Sequence, residues 1–129
     1  MIPQVDCTVE VVCQINPSED PQKIRQSISN ILDAFELELD KYSARATSDQ
    51  AESLAKIRES IHNRHSQRVY SKFLNNNLEG DSTWFYLNKQ AAFANSIALC
   101  EQDNESPLGP IKVTVSSENI ERIIEWLTS

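Results

Sequence analysis

Between Val5 and Ile15 the chain alternates without a break. Val5, Cys7, Val9, Val11, Cys13 and Ile15 occupy one set of positions, and Asp6, Thr8, Glu10, Val12 and Gln14 the other. A period of two suits a β-strand with one face in the core and one in water, and no helix. A chain that begins this way must pair the strand on its edges and cover its apolar face. The same period recurs at Phe35, Leu37 and Leu39, interleaved with Glu36, Glu38 and Asp40, and again at Ile111 to Val115. Thr83 to Leu87 reads as a strand with aromatic content. Short strands are expected at Tyr42 to Thr47 and at Ala92 to Cys100, the latter as the antiparallel neighbour of Thr83 to Leu87.

The segments between the strands carry helical periodicity. Asp20-Pro21 is an N-cap followed by proline at the first helical position. A helix from about Pro21 to Asp33 places Ile24, Ile28, Ile31 and Leu32 on one face. Ser48-Asp49 is positioned to cap a helix with Leu54, Ile57 and Ile61 in its stripe. Asn63 to Ser66 interrupts the pattern, and a further helix from about Ser66 to Asn75 is expected to bury Val69, Phe73 and Leu74. Ser116-Ser117-Glu118 precedes a last helix whose Ile120, Ile123, Ile124 and Leu127 fit the i, i+3, i+4, i+7 spacing of a core face. Asn75 to Asn77, Glu79 to Ser82 and the polar run Gln102 to Gly109 read as loops. The order is strand, helix, two strands, two helices, three strands, helix. The expected fold is α+β, a mainly antiparallel sheet with helices packed on one face, and the expected organisation is one domain over residues 1–129.

Composition narrows the function classes. The chain has 129 residues, 40% apolar and 24% charged, a soluble globular composition. Gly80 and Gly109 are its two glycines, so no glycine-rich phosphate loop can be built. No apolar run is long enough to cross a bilayer, and Met1-Ile2-Pro3-Gln4 does not resemble a signal peptide. The expected location is therefore cytoplasmic, with no membrane partner. Cys7, Cys13 and Cys100 form an odd set without metal-ligand spacing, read as small buried hydrophobes. The net charge of −7 argues against a general nucleic-acid surface, and no DNA partner is expected. The charge is uneven, however. Lys56 to Lys72 holds five basic residues and one acidic residue, net +4, which leaves net −11 on the rest.

Three constellations could carry chemistry. Arg64, Arg68 and Lys72 are spaced i, i+4, i+8. On one helix they form a stripe about 12 Å long, suited to phosphates or simply to water. Trp84 and Tyr86 alternate with Phe85 and Leu87. If helices cover the face that carries Phe85, Trp84 and Tyr86 lie on the open face as a base-stacking platform; otherwise all three rings are taken up in core or cross-strand packing. Lys89, flanked by Asn88 and Gln90, could be a phosphate ligand, a turn residue whose neighbouring amides bond backbone groups, or an enzymatic base. The last needs a depressed pKa, and nothing nearby in sequence supplies one. Glu59, His62 and His65 sweep too far round a helix to share one metal. No cofactor and no metal are expected.

The strings FYLNKQAAF (85–93), SPLGPIKVTV (106–115) and IIEWL (123–127), with the turn PSEDPQKI (17–24), resemble a family of archaeal proteins described as predicted RNA-binding proteins or predicted exosome subunits. The likeness covers nearly the whole chain and is weakest between Tyr42 and Asn77. It implies a fold similar to that of the ribosomal protein that contacts 5S ribosomal RNA, and a role in RNA binding or RNA processing without catalysis. It carries no catalytic residues over. The RNA contacts expected are Arg64, Arg68, Lys72, Lys89, Asn88, Gln90, Trp84 and Tyr86. The alternatives are a protein-interaction subunit of a ribonucleoprotein or exosome-like complex, docking through an acidic surface, and an enzyme using Lys89. RNA, protein subunits of such a complex and a second copy of the chain are the partners left open.

Overall fold

The computed structural model describes residues 3, 5–101 and 108–129. The expected loop at Gln102 to Gly109 falls largely outside the described residues, as do Ser106 and Pro107 of the SPLGPIKVTV string. The strands are β1 (Thr8–Gln14), β2 (Glu36–Leu39), β3 (Ser43–Ser48), β4 (Ser82–Asn88), β5 (Leu99–Cys100) and β6 (Pro110–Ser116). The helices are α1 (Pro21–Ile31), α2 (Ala55–Asn63), α3 (Gln67–Asn76), α4 (Lys89–Phe93) and α5 (Ile120–Leu127), with a 3-10 turn at Ala51–Leu54. Among the described residues the six strands form one sheet in the order β2-β3-β1-β6-β4-β5. Every pairing is antiparallel.

Alternation decides which face is dry. Val9, Val11 and Cys13 of β1, Ile111, Val113 and Val115 of β6, and Phe85 and Leu87 of β4 are buried. The registers Val11↔Val113 and Phe85↔Val113 set them side by side. Ile28 and Ile31 of α1, Ile57 and Ile61 of α2, Leu74 of α3, and Ile123 and Leu127 of α5 close over them in one core. Tyr70 of α3 meets Phe85 edge-on, with ring centroids 5.8 Å apart, an arrangement that adds to simple burial. The fold is the expected α+β class.

Local chemistry explains the helix boundaries. The Asp20 carboxylate accepts the Gln22 N–H at 2.9 Å and Pro21 opens α1. At the start of β6 the chain passes through Gly109 with φ +80, a left-handed conformation that glycine adopts without strain. Three expectations are corrected. Ala92 to Cys100 is not one strand: Ala92 belongs to α4, and β5 is only Leu99–Cys100. The short apolar run Ala91-Ala92-Phe93 fits either element, and Asn88 settles it by accepting the Ala91 N–H at 2.8 Å as an N-cap. In α3 the buried residues are Tyr70 and Leu74, while Val69 is 50% exposed and Phe73 only partly buried. The last helix takes Asn119 as its N-cap, with the Ser117 hydroxyl accepting the Asn119 N–H at 3.0 Å just outside it.

Phe85 is fully buried at the junction of sheet and helices. Phe85→Ala is expected to cost about 3–5 kcal/mol of stability, measured by urea denaturation. The same change at partly exposed Trp84, on the other face of the same strand, should cost clearly less.

Candidate nucleic-acid interface

The second face of the sheet carries the other half of each alternation. The registers define two rows across it. One runs Glu38, Arg45, Val12, Lys112, Tyr86, and the other Glu36, Thr47, Glu10, Thr114, Trp84. Acidic residues gather at the β2 edge. Arg45 neutralises Glu10 through a 2.6 Å ion pair, and Glu36 and Glu38 remain exposed. At the β6–β4 end, Trp84 and Tyr86 are partly exposed with ring centroids 4.9 Å apart. The exposed Lys112 ammonium lies 4.9 Å from the Trp84 centroid, within the range of a cation–π attraction. Sequence reading missed Lys112. Its alternation marked it as outward-facing, but only the β4–β6 register seats it over the aromatic pair.

The positive segment is distributed among several tasks. Lys56 bonds the Ser29 carbonyl at 2.8 Å and pairs with Asp33 at 3.3 Å. Arg58 donates to the Trp126 carbonyl at 3.0 Å and to Ser129 Oγ at 2.9 Å. The expected stripe Arg64, Arg68, Lys72 is not on one helix. Arg64 is the C-cap of α2, His65 turns the chain with φ +53, and only Arg68 and Lys72 lie on α3. Arg64 donates to Ser96 Oγ at 2.6 Å. Arg68 and Lys72 are exposed. Phe73, next to Lys72, meets Trp84 edge-on at 6.2 Å, so α3 abuts the rim of the aromatic pair.

Lys89 is corrected most. It is 3% exposed, and its ammonium donates to the Gln14 carbonyl at 2.7 Å, the Leu108 carbonyl at 2.8 Å and Glu19 Oε1 at 3.1 Å. An ammonium has three N–H donors, so none is left for a phosphate, and this residue has no surface to share with α3. Asn16 completes the knot. Its backbone N–H reaches Glu19 Oε1 at 3.0 Å, and its side-chain amide donates to the same oxygen at 2.6 Å and to the Leu108 carbonyl at 3.0 Å. Burial alone would raise the Glu19 pKa. The Asn16 hydrogen bonds and the Lys89 ammonium outweigh it and hold the carboxyl below its ordinary range. Asn88 is committed to capping α4, whereas Gln90 is exposed.

All three cysteines are buried, and burial pushes the Cys13 thiol up to about 11 despite the pull of Lys89. Among the described residues no group of three or more His, Cys, Asp or Glu side chains is placed to hold a metal ion. No described helix is long and apolar enough to cross a membrane.

Two predictions follow from the knot. Lys89→Met removes the counter-charge of buried Glu19 and one donor each from the Gln14 and Leu108 carbonyls, and is expected to cost about 3–5 kcal/mol in denaturant unfolding. Adding Glu19→Gln should recover part of that loss. The pH dependence has a definite sign. The unfolded chain protonates Glu19 near the ordinary value of 4.5, and the folded chain only at lower pH. Its contribution is therefore full above that value and lost as pH falls through the folded pKa. The stability gap between the native chain and Glu19→Gln should shrink over that acid range.

Comparison with known proteins places this geometry in context. A family model described as RNA binding matches residues 8–117. A UPF0201 protein of Methanothermobacter thermautotrophicus is 34% identical, over 92% of this chain and 89% of its own. One from Metallosphaera sedula is also 34% identical, over 92% and 85%. The crystal structure of a UPF0201 protein from Methanococcus jannaschii superposes with a TM-score of 0.81 at 24% identity, covering 95% of this chain and 99% of the other. A second UPF0201 crystal structure gives 0.78 at 26% identity, over 91% and 89%.

Proposed function

This chain belongs to the RNA-binding family that spans its residues 8–117, alongside the UPF0201 proteins, and from that premise we propose that it binds single-stranded RNA on the open face of its sheet. The observation that carries the reading is Lys112 held over Trp84, with Tyr86 beside it. Bases stack on the two rings, a contact worth roughly 1–3 kcal/mol per base and tolerant of sequence. Lys112 meets the backbone there. Arg68 and Lys72, brought to the rim by the Phe73–Trp84 contact, meet further phosphates. Net charge −7 does not oppose this, because the acidic residues of the open face cluster at its far edge and screening confines each field to about 8–10 Å at ordinary salt. On this reading Trp84, Tyr86, Arg68 and Lys72 keep the roles that the sequence suggested and Lys112 joins them. Lys89 and Asn88 serve the fold, and Arg64, exposed with one N–H on Ser96, stands at the end of α2 apart from the α3 pair. We also propose that residues 1–129 act as one domain, since the described strands share one sheet and one core.

A second reading, docking of a basic protein of an RNA-processing complex, is favoured by exposed Glu36 and Glu38 on the edge strand β2. Salt and mutation separate the two. Anisotropy titration with short single-stranded RNAs should show binding at about 50–100 mM salt that weakens by about 0.7 log unit per log unit of salt for each phosphate met. Trp84→Ala should lower affinity about 5- to 150-fold, and Lys112→Ala should reduce the salt slope by about one contact. Absence of binding at low salt, or full affinity in both variants, would sink the open-face reading.

A further inference from the structure

β4 ends at Asn88 and α4 begins at Lys89 with no loop between them, so the strand that carries Trp84 and Tyr86 runs directly into a second surface feature. Between α1 and α4 lies a cleft of about 280 Å³. Ile24, Phe93 and Leu108 supply its apolar lining. Phe93 is 45% exposed, an unusual state for a phenylalanine beside a filled core, and the Lys23 ammonium sits 5.5 Å from its ring centroid. The spacing of the two helices is held by Asn30, whose side-chain amide donates to the Ala92 carbonyl at 2.8 Å and to the Phe93 carbonyl at 3.4 Å. The cleft is therefore preformed. Ser18, Glu19 and Gln90 also line it. Glu19 spends one carboxylate oxygen on Asn16 and Lys89, while its Oε2 has no hydrogen-bond partner among the described residues. The Gln90 amide is likewise exposed and unbonded among them.

The volume lies at the bottom of the range for ligand pockets, which suits one nucleoside and excludes a folded nucleic acid. An aromatic wall with a cation beside it favours a flat, electron-rich ring. A carboxylate oxygen accepts N–H groups, and next to an amide it reads a base edge; the Glu19 and Asp20 carboxylates offset the Lys23 and Lys89 ammonium groups that also line the cleft, so no net positive charge favours a phosphate. Guanine is the base that offers two adjacent N–H donors on its Watson–Crick edge. Splaying single bases into such slots is how single-stranded RNA is read for sequence. We propose that the cleft between α1 and α4 binds one unstacked guanine base, stacked on Phe93 and held by Glu19 Oε2 and the Gln90 amide. The proposal rests on the RNA reading above and adds base selectivity to it.

The test is to titrate the full chain with GMP, AMP, CMP and UMP while following amide resonances by NMR. A short oligoribonucleotide is titrated in parallel, with the Trp84 indole N–H as reporter of the open face. GMP is expected to move the Gln90 side-chain amide and the α4 signals at lower concentration than the other three. Phe93→Ala is expected to weaken GMP roughly tenfold, and Gln90→Ala to narrow the gap between GMP and AMP. Both residues are exposed enough for the variants to fold, which an unchanged melting curve checks. If the oligoribonucleotide shifts the Trp84 signal but no mononucleotide moves α4, the cleft proposal is overturned and the RNA reading stands. Equal response to all four nucleotides overturns the guanine assignment. If neither oligonucleotide nor mononucleotide binds, both readings fall together.

Discussion

One ammonium group organises the top of this sheet. Lys89 leaves the end of β4, enters the protein, and joins the last residue of β1, the turn before α1 and the segment that leads into β6. The β1 end and the turn that follows it lie some 70 or more residues before Lys89 and Leu108 lies 19 after it, and Asn16 is the other side chain in the knot that joins two of these pieces. Taking a charge out of water is costly unless it is paired and fully hydrogen-bonded, and here each N–H has an acceptor and the counter-charge of Glu19 is present. Next to Lys89 the Asn88 cap fixes where α4 starts, and Asn30 fixes where α1 lies against it. The cleft and the end of the aromatic strand thus meet at one satisfied, buried cation.

The covered and uncovered faces of the sheet divide the labour. The covered face holds Phe85 and Leu87 between helices and supplies stability. The uncovered face is built from the alternate residues of the same strands, so Trp84 and Tyr86 are positioned by neighbours that are buried in the core. A site placed on strands inherits their precision.

Much of the fold was legible because period-two alternation leaves little freedom. β1, β4 and β6 follow from it, as does the sharing of one face by Trp84 and Tyr86, and Asp20-Pro21 announces α1. What was not legible depends on distant groups. Lys89 looks like a surface lysine in FYLNKQAAF, because its acceptors lie at residues 14, 19 and 108. Lys112 looks like any outward strand residue until register places it by Tyr86. The Ala91-Ala92-Phe93 run is too short for periodicity to distinguish helix from strand, and the spacing of Arg64, Arg68 and Lys72 suggests one helix only if the left-handed turn at His65 is overlooked.

The two rows of residues that cross the open face also have a length scale. β2 and β6 are three strand spacings apart, roughly 14 Å, while the screening length at physiological salt is about 8 Å. Under those conditions Glu36 and Glu38 are electrically remote from Lys112, and a polyanion on β6 and β4 does not feel them. In dilute salt the screening length grows to about 30 Å, and the far edge enters its field. The face then acts as a dipole, attractive at one end and repulsive at the other.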